Sequence, residues 1–396
     1  MSRAGGTAWE VFTVFLKLGL SSFGGPIAHL GYFREELVVR RRWIDDAGYA
    51  NLLALCQFLP GPASSQVGFS LGVLRANGLL GGLAAWLAFT LPSALILYGF
   101  AIGAAHIDTP WAAGVLHGLK LVAVAVVAQA VLAMVRTLTP DLTRAAIAIA
   151  ALILIVWAGG SAGQVAAMGL GAVAGIALCR QQQPIAASGP LRVAVSKRAG
   201  MFALVVFAVL FAASALLAGH ERLQLIAVFN AFYHSGALVF GGGHVVLPLL
   251  ATQVVEPGWI SEQTFLTGYG LAQAVPGPLF TIAAYLGAMI QGVPRELGAL
   301  VAVVALALPG LLLVYGTLPF WEKLQSRAWA QAAMRGTNAA VVGVLAAALY
   351  DPIWTSAIGS PLDFALAAVG LLLLSVAKWP PWIVVLALAA GGAAST

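Results

Sequence analysis

The sequence predicts an all-α polytopic membrane protein made of two homologous, inverted-topology repeats with discontinuous or re-entrant helices. Three observations predict it: a composition that water cannot solvate, a set of motifs that occurs twice in one order, and loop charges that alternate between the copies. Of the 396 residues, 61% are hydrophobic and 9% charged, against roughly 25% charged in soluble domains. A soluble globule of this size would lack the side chains to cover itself, so the chain must dissolve in lipid. At about 20 residues per span the length allows about 10–13 membrane segments. The 45 glycines suit close helix packing in a bilayer.

The repeat is visible by eye. Phe12, Phe15, Gly19, Phe23, Gly24 and Gly25 match Phe229, Phe232, Gly236, Phe240, Gly241 and Gly242 at one offset, and Trp43-Ile44 matches Trp259-Ile260. Gln57 with Pro60-Gly61-Pro62 matches Gln273 with Pro276-Gly277-Pro278, and Pro92 with Tyr98-Gly99 matches Pro309 with Tyr315-Gly316. The expected units are a first repeat at 1–179, a polar linker at 180–198 and a second repeat at 199–396. Within them, ordinary apolar helices are expected near 78–104, 112–135, 145–158, 162–179, 199–218, 297–318, 328–349, 361–377 and 380–394. The segments 9–33, 45–77, 222–253 and 262–292 carry Gly-Gly or Pro-Gly-Pro mid-way, where an unbroken helix would lose backbone hydrogen bonds.

Loop charges give the orientation. Arg34, Arg40, Arg41 and Arg42 follow the first motif, whereas the matching loop holds Glu256 and Glu262 and no Lys or Arg. The next pair reverses, with Lys323 and Arg327 opposite a loop, 106–110, that has neither; Arg136 and Arg144 then face the uncharged-to-acidic turn at 350–352. By the positive-inside rule the repeats are inverted, the N-terminus and linker cytoplasmic and the C-terminus periplasmic, although Arg222 and Arg295 run against the pattern. The net charge of +6 is then topology, and nucleic acid is not an expected partner. The first apolar run, 11–20, contains Lys17 and lacks a small-residue cleavage pattern, so no signal peptide is expected.

Candidate site residues fall in the broken segments. On a wheel Phe12, Phe15, Gly19 and Phe23 lie within about 80° of one another, a packing stripe, while Lys17 and His234 point the other way. Lys17 reads either as a snorkelling lysine paired with Glu10 or as a pathway group. Gly24-Gly25-Pro26 and Gly241-Gly242-Gly243, each near a histidine (His29, His244), would leave backbone N–H groups free at a helix start and so form an anion cradle. Each Pro-Gly-Pro restarts a helix whose positive dipole end points at mid-membrane, with Ser64, Ser65 and Gln66 in the first new turn. Intramembrane cations, namely Lys17, His117, Lys120 and Arg335, outnumber carboxylates, since Glu10 and Asp363 sit at segment ends; this argues for an anionic cargo. Arg335 occupies the place of His117 in the second repeat. Cys56 and Cys179 lie in apolar segments, and no Walker, dinucleotide, catalytic-triad or metal-ligand spacing is present, so no cofactor, metal or enzymatic chemistry is expected.

Taken together, FLKLGLSSFGGPIAHLGYFREELVVRRRWI, ALCQFLPGPASSQVG and FTLPSA, then LVFGGGHVVLPLL and GYGLAQAVPGPL, resemble the chromate ion transporter family in its long, two-domain form. The resemblance covers about 9–120 and 225–345. It implies a bacterial inner-membrane secondary transporter that exports chromate and confers resistance, with sulfate as a chemical mimic. Its motif positions here are Gly24, Gly25, Pro26, His29, Trp43, Gln57, Pro60, Gly61, Pro62 and Gln66, then Gly241, Gly242, Gly243, His244, Gln273, Pro276, Gly277 and Pro278. A sulfate or other oxyanion permease and an anion channel remain as alternatives, and the sequence leaves open whether the chain forms a homo-oligomer.

Overall fold

The computed structural model describes residues 6–23, 25–104, 110–179, 195–216, 224–240, 243–325 and 327–394. Gly24, Gly241, Gly242 and most of the linker lie outside the described residues. Among the described residues every regular element is helical. The first repeat runs α1 (Ala8–Ser21), α2 (Gly25–Phe33), α3 (Asp46–Phe58), α4 (Ala63–Arg75), α5 (Leu79–Ala104), α6 (Pro110–Leu138), α7 (Leu142–Ala158) and α8 (Gly160–Leu178). After α9 (Lys197–Leu216) the second repeats the order: α10 (Gln224–Ala237), α11 (Val246–Val254), α12 (Glu262–Ala274), α13 (Ile282–Met289), α14 (Arg295–Thr317), the short α15 (Trp321–Gln325), α16 (Ala328–Ala348), the single turn α17 (Thr355–Ala357), α18 (Pro361–Ser375) and α19 (Pro381–Ala394).

The motif segments break where the glycines and prolines require. Helix α1 stops before Ser22, α3 stops before the 59–62 stretch, α10 ends at Ala237, and α12 ends before Val275. Polar caps start the helices: the Thr7, Asp45 and Ser261 side chains accept from the amides of Glu10, Gly48 and Thr264 at 3.1, 2.7 and 3.1 Å, each satisfying a donor the first turn would leave unpaired. Helix α9 is the one long helix among the described residues without a counterpart in the first repeat. Its 20 residues make a rod of about 30 Å, the length of one bilayer crossing.

Packing is reciprocal between the repeats. Helix α1 lies on α5, and a methyl at Gly19 would come 2.9 Å from the Ala88 and Phe89 carbonyl oxygens. Helix α10 lies on α14 in the same way, with Gly236 against the Leu306 carbonyl. The Phe/Gly stripe is thus a helix seam, and Phe15 and Phe232 are fully buried in it. Further on the repeats exchange helices. Helix α6 packs on α18 and α19, where Gly392 meets the Gly114 carbonyl, while α16 packs on α7 and α8, where Gly175 meets the Ala332 carbonyl. Such mutual exchange is the signature of a two-fold relation, and small residues at both crossings let the backbones touch. Pro92 and Pro309 lie inside α5 and α14, and beyond each proline the helix enters the other half's core: Leu97 and Ala101 join α10–α13, while Leu311 and Val314 join α1–α4.

Candidate functional site

The two Pro-Gly-Pro breaks are tied to the opposite repeat by their central glycines. The Gly61 amide donates to the Val239 carbonyl at 2.7 Å, and the Gly277 amide donates to the Ser22 carbonyl at 2.9 Å. Ser22 and Val239 hold matching places, each just ahead of the Gly-Gly motif. Every broken segment is therefore fastened to a broken segment of the other copy. Both glycines have positive φ, 122° at Gly61 and 104° at Gly277, a region open to glycine and strained for any other residue. Beside them stand the residues that follow Pro92 and Pro309: a methyl at Gly277 would meet Ser93 Oγ at 2.7 Å, and one at Gly61 would meet Gly310 Cα at 3.0 Å.

The first junction is closed by a strap. Gln66 is fully buried, and its Nε2 donates to the carbonyls of Pro60 at 2.8 Å and Gly310 at 3.0 Å. Ser64 and Ser65, in the turn before it, are buried as well. Pro62 serves as the residue ahead of α4, and Gln57 is exposed at the end of α3.

At the second junction a cavity of about 10 Å³ is bounded by Gly25, His244, Gln273, Gly277 and their neighbours, room for about one water. Gly25 has φ 77° and open space before it. His244 Nδ1 and the Tyr269 hydroxyl share a hydrogen bond of 2.7 Å. Gln273 is buried and its Nε2 has no partner in the described residues. On the Ser22 side, Ser22 Oγ, both ring nitrogens of His29 and Thr90 Oγ1 are likewise buried without a hydrogen bond of good geometry, and His29 stands edge-on to Phe89 at 5.3 Å. Buried polar atoms are normally paired, which sets these unpaired ones apart from most of the interior. Gly243 opens the turn that carries His244, and Pro276 and Pro278 flank Gly277.

The intramembrane cations are held elsewhere, and none lines this cavity. Lys17 is exposed on α1, with its charge reaching Glu36 in the arginine-rich loop. Glu10 is committed to Arg75 at 2.9 Å. His117 Nε2 lies 2.6 Å from Asp363 Oδ1, one turn from the half-buried Lys120. Arg335 donates to the Cys179 carbonyl at 3.1 Å and to Gln331, holding the end of α8. His234 stacks on Phe211 of α9, rings 5.3 Å apart and nearly parallel. The Gly61 and Gly277 amides are engaged by carbonyls, whereas the free amides expected at Gly24-Gly25 and Gly241-Gly242-Gly243 fall mostly outside the described residues; the polar side chains lining the cavity are those of His244 and Gln273. Ser22, Thr90, Ser93, Tyr269 and Gly310 were not singled out from sequence, although Ser93 and Gly310 immediately follow the repeated prolines.

Intertwined repeats, each broken at mid-segment and joined to one another at the breaks, define a polytopic membrane transporter of the internal-repeat class. The chain belongs to the chromate transporter family, whose profile matches it twice, at residues 9–176 and 226–393. It is 31% identical to the probable chromate transport protein of Synechococcus elongatus, over 85% of this chain and 82% of that one. It is 29% identical to the chromate transport proteins of Pseudomonas aeruginosa, over 96% of this chain and 90% of that one, and of Cupriavidus metallidurans, over 93% and 88%. No solved structure matches it.

Proposed function

We propose that this chain is a secondary carrier that moves chromate, a tetrahedral oxyanion, out of the cytoplasm across the bacterial inner membrane, and that this export confers chromate resistance. The observation that carries the reading is the cavity between Gly25, His244, Gln273 and Gly277, beside Ser22, whose carbonyl takes the Gly277 amide and whose Oγ is buried without a hydrogen bond among the described residues. Hydroxyl, amide and imidazole N–H groups fixed in a low-dielectric site bind an oxyanion by charge-assisted hydrogen bonds, and the names of the relatives support chromate as that oxyanion. At about 10 Å³ the cavity is too small for it, so binding requires the junction to open, as a carrier's occluded site must. The lysines and arginine contribute from outside the cavity: Lys120, on the helix against which α12 packs, is the cation we assign to the pathway.

Export needs no nucleotide. A dianion leaving an inside-negative cell gains about 2.3 kcal/mol per charge per 100 mV, hence about 4.6 kcal/mol for two. Loop charges support a cytoplasmic N-terminus with the 34–42 loop inside and the Glu256 loop outside. The test is labelled chromate flux in inverted vesicles. Saturable, potential-dependent uptake that Gln273→Leu abolishes is expected, and vesicles no different from protein-free ones would end the proposal. Sulfate that is itself transported with higher kcat/KM than chromate would reassign the substrate to sulfate. Unitary currents in place of saturable flux would reassign the mechanism to a channel. A cytoplasm-only reporter should be active when fused after Arg42 and silent after Glu256.

A further inference from the structure

One difference between the repeats lies away from the Gly-Pro breaks. In the first repeat the end of α4 carries Arg75, whose guanidinium carbon stands 5.3 Å from the centre of the Trp43 ring. Glu10 holds that guanidinium with contacts of 2.9, 3.1 and 3.3 Å, so cation, aromatic face and counter-ion form one filled site. Trp259 stands at Trp43 and Ala227 at Glu10, and because Gly287 meets the Gly298 carbonyl as Gly72 meets the Gly81 carbonyl, Arg75 falls at Ile290, next to Gln291. The aromatic face is kept while the cation and its carboxylate are both gone. What remains is a cavity of about 440 Å³ bounded by Gln224, Trp259, Ser261, Thr264, Met289 and Gln291, within the size range of small-molecule sites.

The chemistry of that space selects its ligand. Among the described residues no cationic side chain lines it, Arg222 lying outside them, and the segment from Glu256 to Glu262 carries both of those carboxylates with no Lys or Arg. Glu262 Oε1, next to the lining residue Ser261, is buried without a hydrogen-bond partner among the described residues. Arg295, four residues past Gln291, is exposed at the start of α14 and lies outside the lining. An indole face attracts a cation placed over it, and the amide oxygens of Gln224 and Gln291 and the Ser261 hydroxyl can accept from N–H groups. We propose that this cavity binds a small organic cation, a guanidinium or alkylammonium group, over Trp259, in the place that the Arg75 side chain fills in the other repeat. The group could arrive as a free solute or as the amine headgroup of a membrane lipid.

Ethylguanidinium is the probe, its binding to the full-length protein in detergent followed by saturation-transfer NMR. Saturable binding is expected, and Trp259→Ala should weaken it by about tenfold, the scale of a desolvated cation–π contact. A second variant guards against simple misfolding: Ala227→Glu with Gln291→Arg puts an arginine and a counter-ion clamp at the cavity, after the pattern of the first repeat. It should leave the melting temperature unchanged or higher and should abolish probe binding. Absence of saturable binding, or equal binding by the wild type and the folded clamp variant, would overturn the proposal. Nanodiscs separate the sources: probe affinity lower in phosphatidylethanolamine than in phosphatidylglycerol assigns the site to the lipid amine, and equal affinity assigns it to a free solute.

Discussion

Helices α3 and α12 lead into the same Pro-Gly-Pro break and stand in different surroundings. Helix α12 is packed onto α6 and α19, where a methyl at Gly270 would come 2.6 Å from the Leu119 carbonyl oxygen, and its Gln273 is buried. Helix α3 rests chiefly on α4 and on the 34–40 segment, and its Gln57 is exposed. The junctions obey one symmetry while the helices outside them depart from it. Two copies of one unit thus stand in two environments, one closely packed and one lightly supported. In the carrier proposed above these placements exchange, α3 closing on α16 as α12 closes on α6, and the variants below test that exchange.

The largest effect should come from breaking what the copies share. Gly61→Ala and Gly277→Ala each force a side chain into positive φ, at a cost of about 1–3 kcal/mol, and each drives a methyl into the opposite repeat. We expect both to lower the melting temperature and to remove chromate flux from vesicles. Wild-type flux in either variant would show that the reciprocal tie is dispensable.

Next is the difference itself. In register, Ala54 corresponds to Gly270 and Thr337 to Leu119. Gly270→Leu should lose about 1–3 kcal/mol through overpacking against α6, whereas Ala54→Leu should leave the melting temperature near wild type and still slow transport by obstructing closure. A cysteine pair at Ala54 and Thr337, in a background without Cys56 and Cys179, should cross-link during turnover and stop flux. Failure to cross-link under any condition would break the exchange of roles.

Much of this was legible in the sequence, for identifiable reasons. Gly-Gly, Pro-Gly-Pro and the lone prolines of α5 and α14 act on their own backbone, so the breaks and helix limits could be located from local chemistry. Which repeat each helix leans on is a long-range matter, and nothing in the α6 sequence states that its partners are α18 and α19. The surroundings of the charged residues were hidden for a related reason: the partners of Arg335 and His117, the Cys179 carbonyl and Asp363, lie 156 and 246 residues away in the chain. Gln66 was singled out as a donor to solute and instead ties Pro60 to Gly310, because its neighbour across the interface comes from the other half.

That strap sharpens the comparison at smaller cost. The second repeat has Ile282 where the first has Gln66, so only one junction depends on a side-chain amide. Gln66→Leu leaves two buried carbonyls with one partner fewer and should cost about 1–3 kcal/mol, read as a lower melting temperature. Ile282→Gln should give no compensating gain. Equal melting temperatures for Gln66→Leu and wild type would make the junctions equivalent.

The smallest effect is electrostatic and belongs to the first repeat alone. Outside the spanning helices, the 34–40 segment folds back so that Glu36 receives Arg40 at 2.6 Å and Arg41 at 2.7 Å, while the matching stretch, 251–257, carries Glu256 and no Lys or Arg. Burial pushes the Glu36 carboxyl up, but the Arg41 hydrogen bond and the charges of Arg40, Arg41 and Lys17 prevail and hold it below its ordinary value of 4.5. A carboxylate depressed by folding contributes stability above its unfolded pKa and loses it as pH falls through the folded one. The wild type should therefore lose stability on acidification below about pH 4.5, by about 1 kcal/mol for this partly exposed pair, and Glu36→Gln should be less stable at neutral pH with a flatter acid limb. Identical pH profiles would mean that Arg40 and Arg41 serve only the positive-inside bias, and the first repeat's loop would then be no more fixed than the second's.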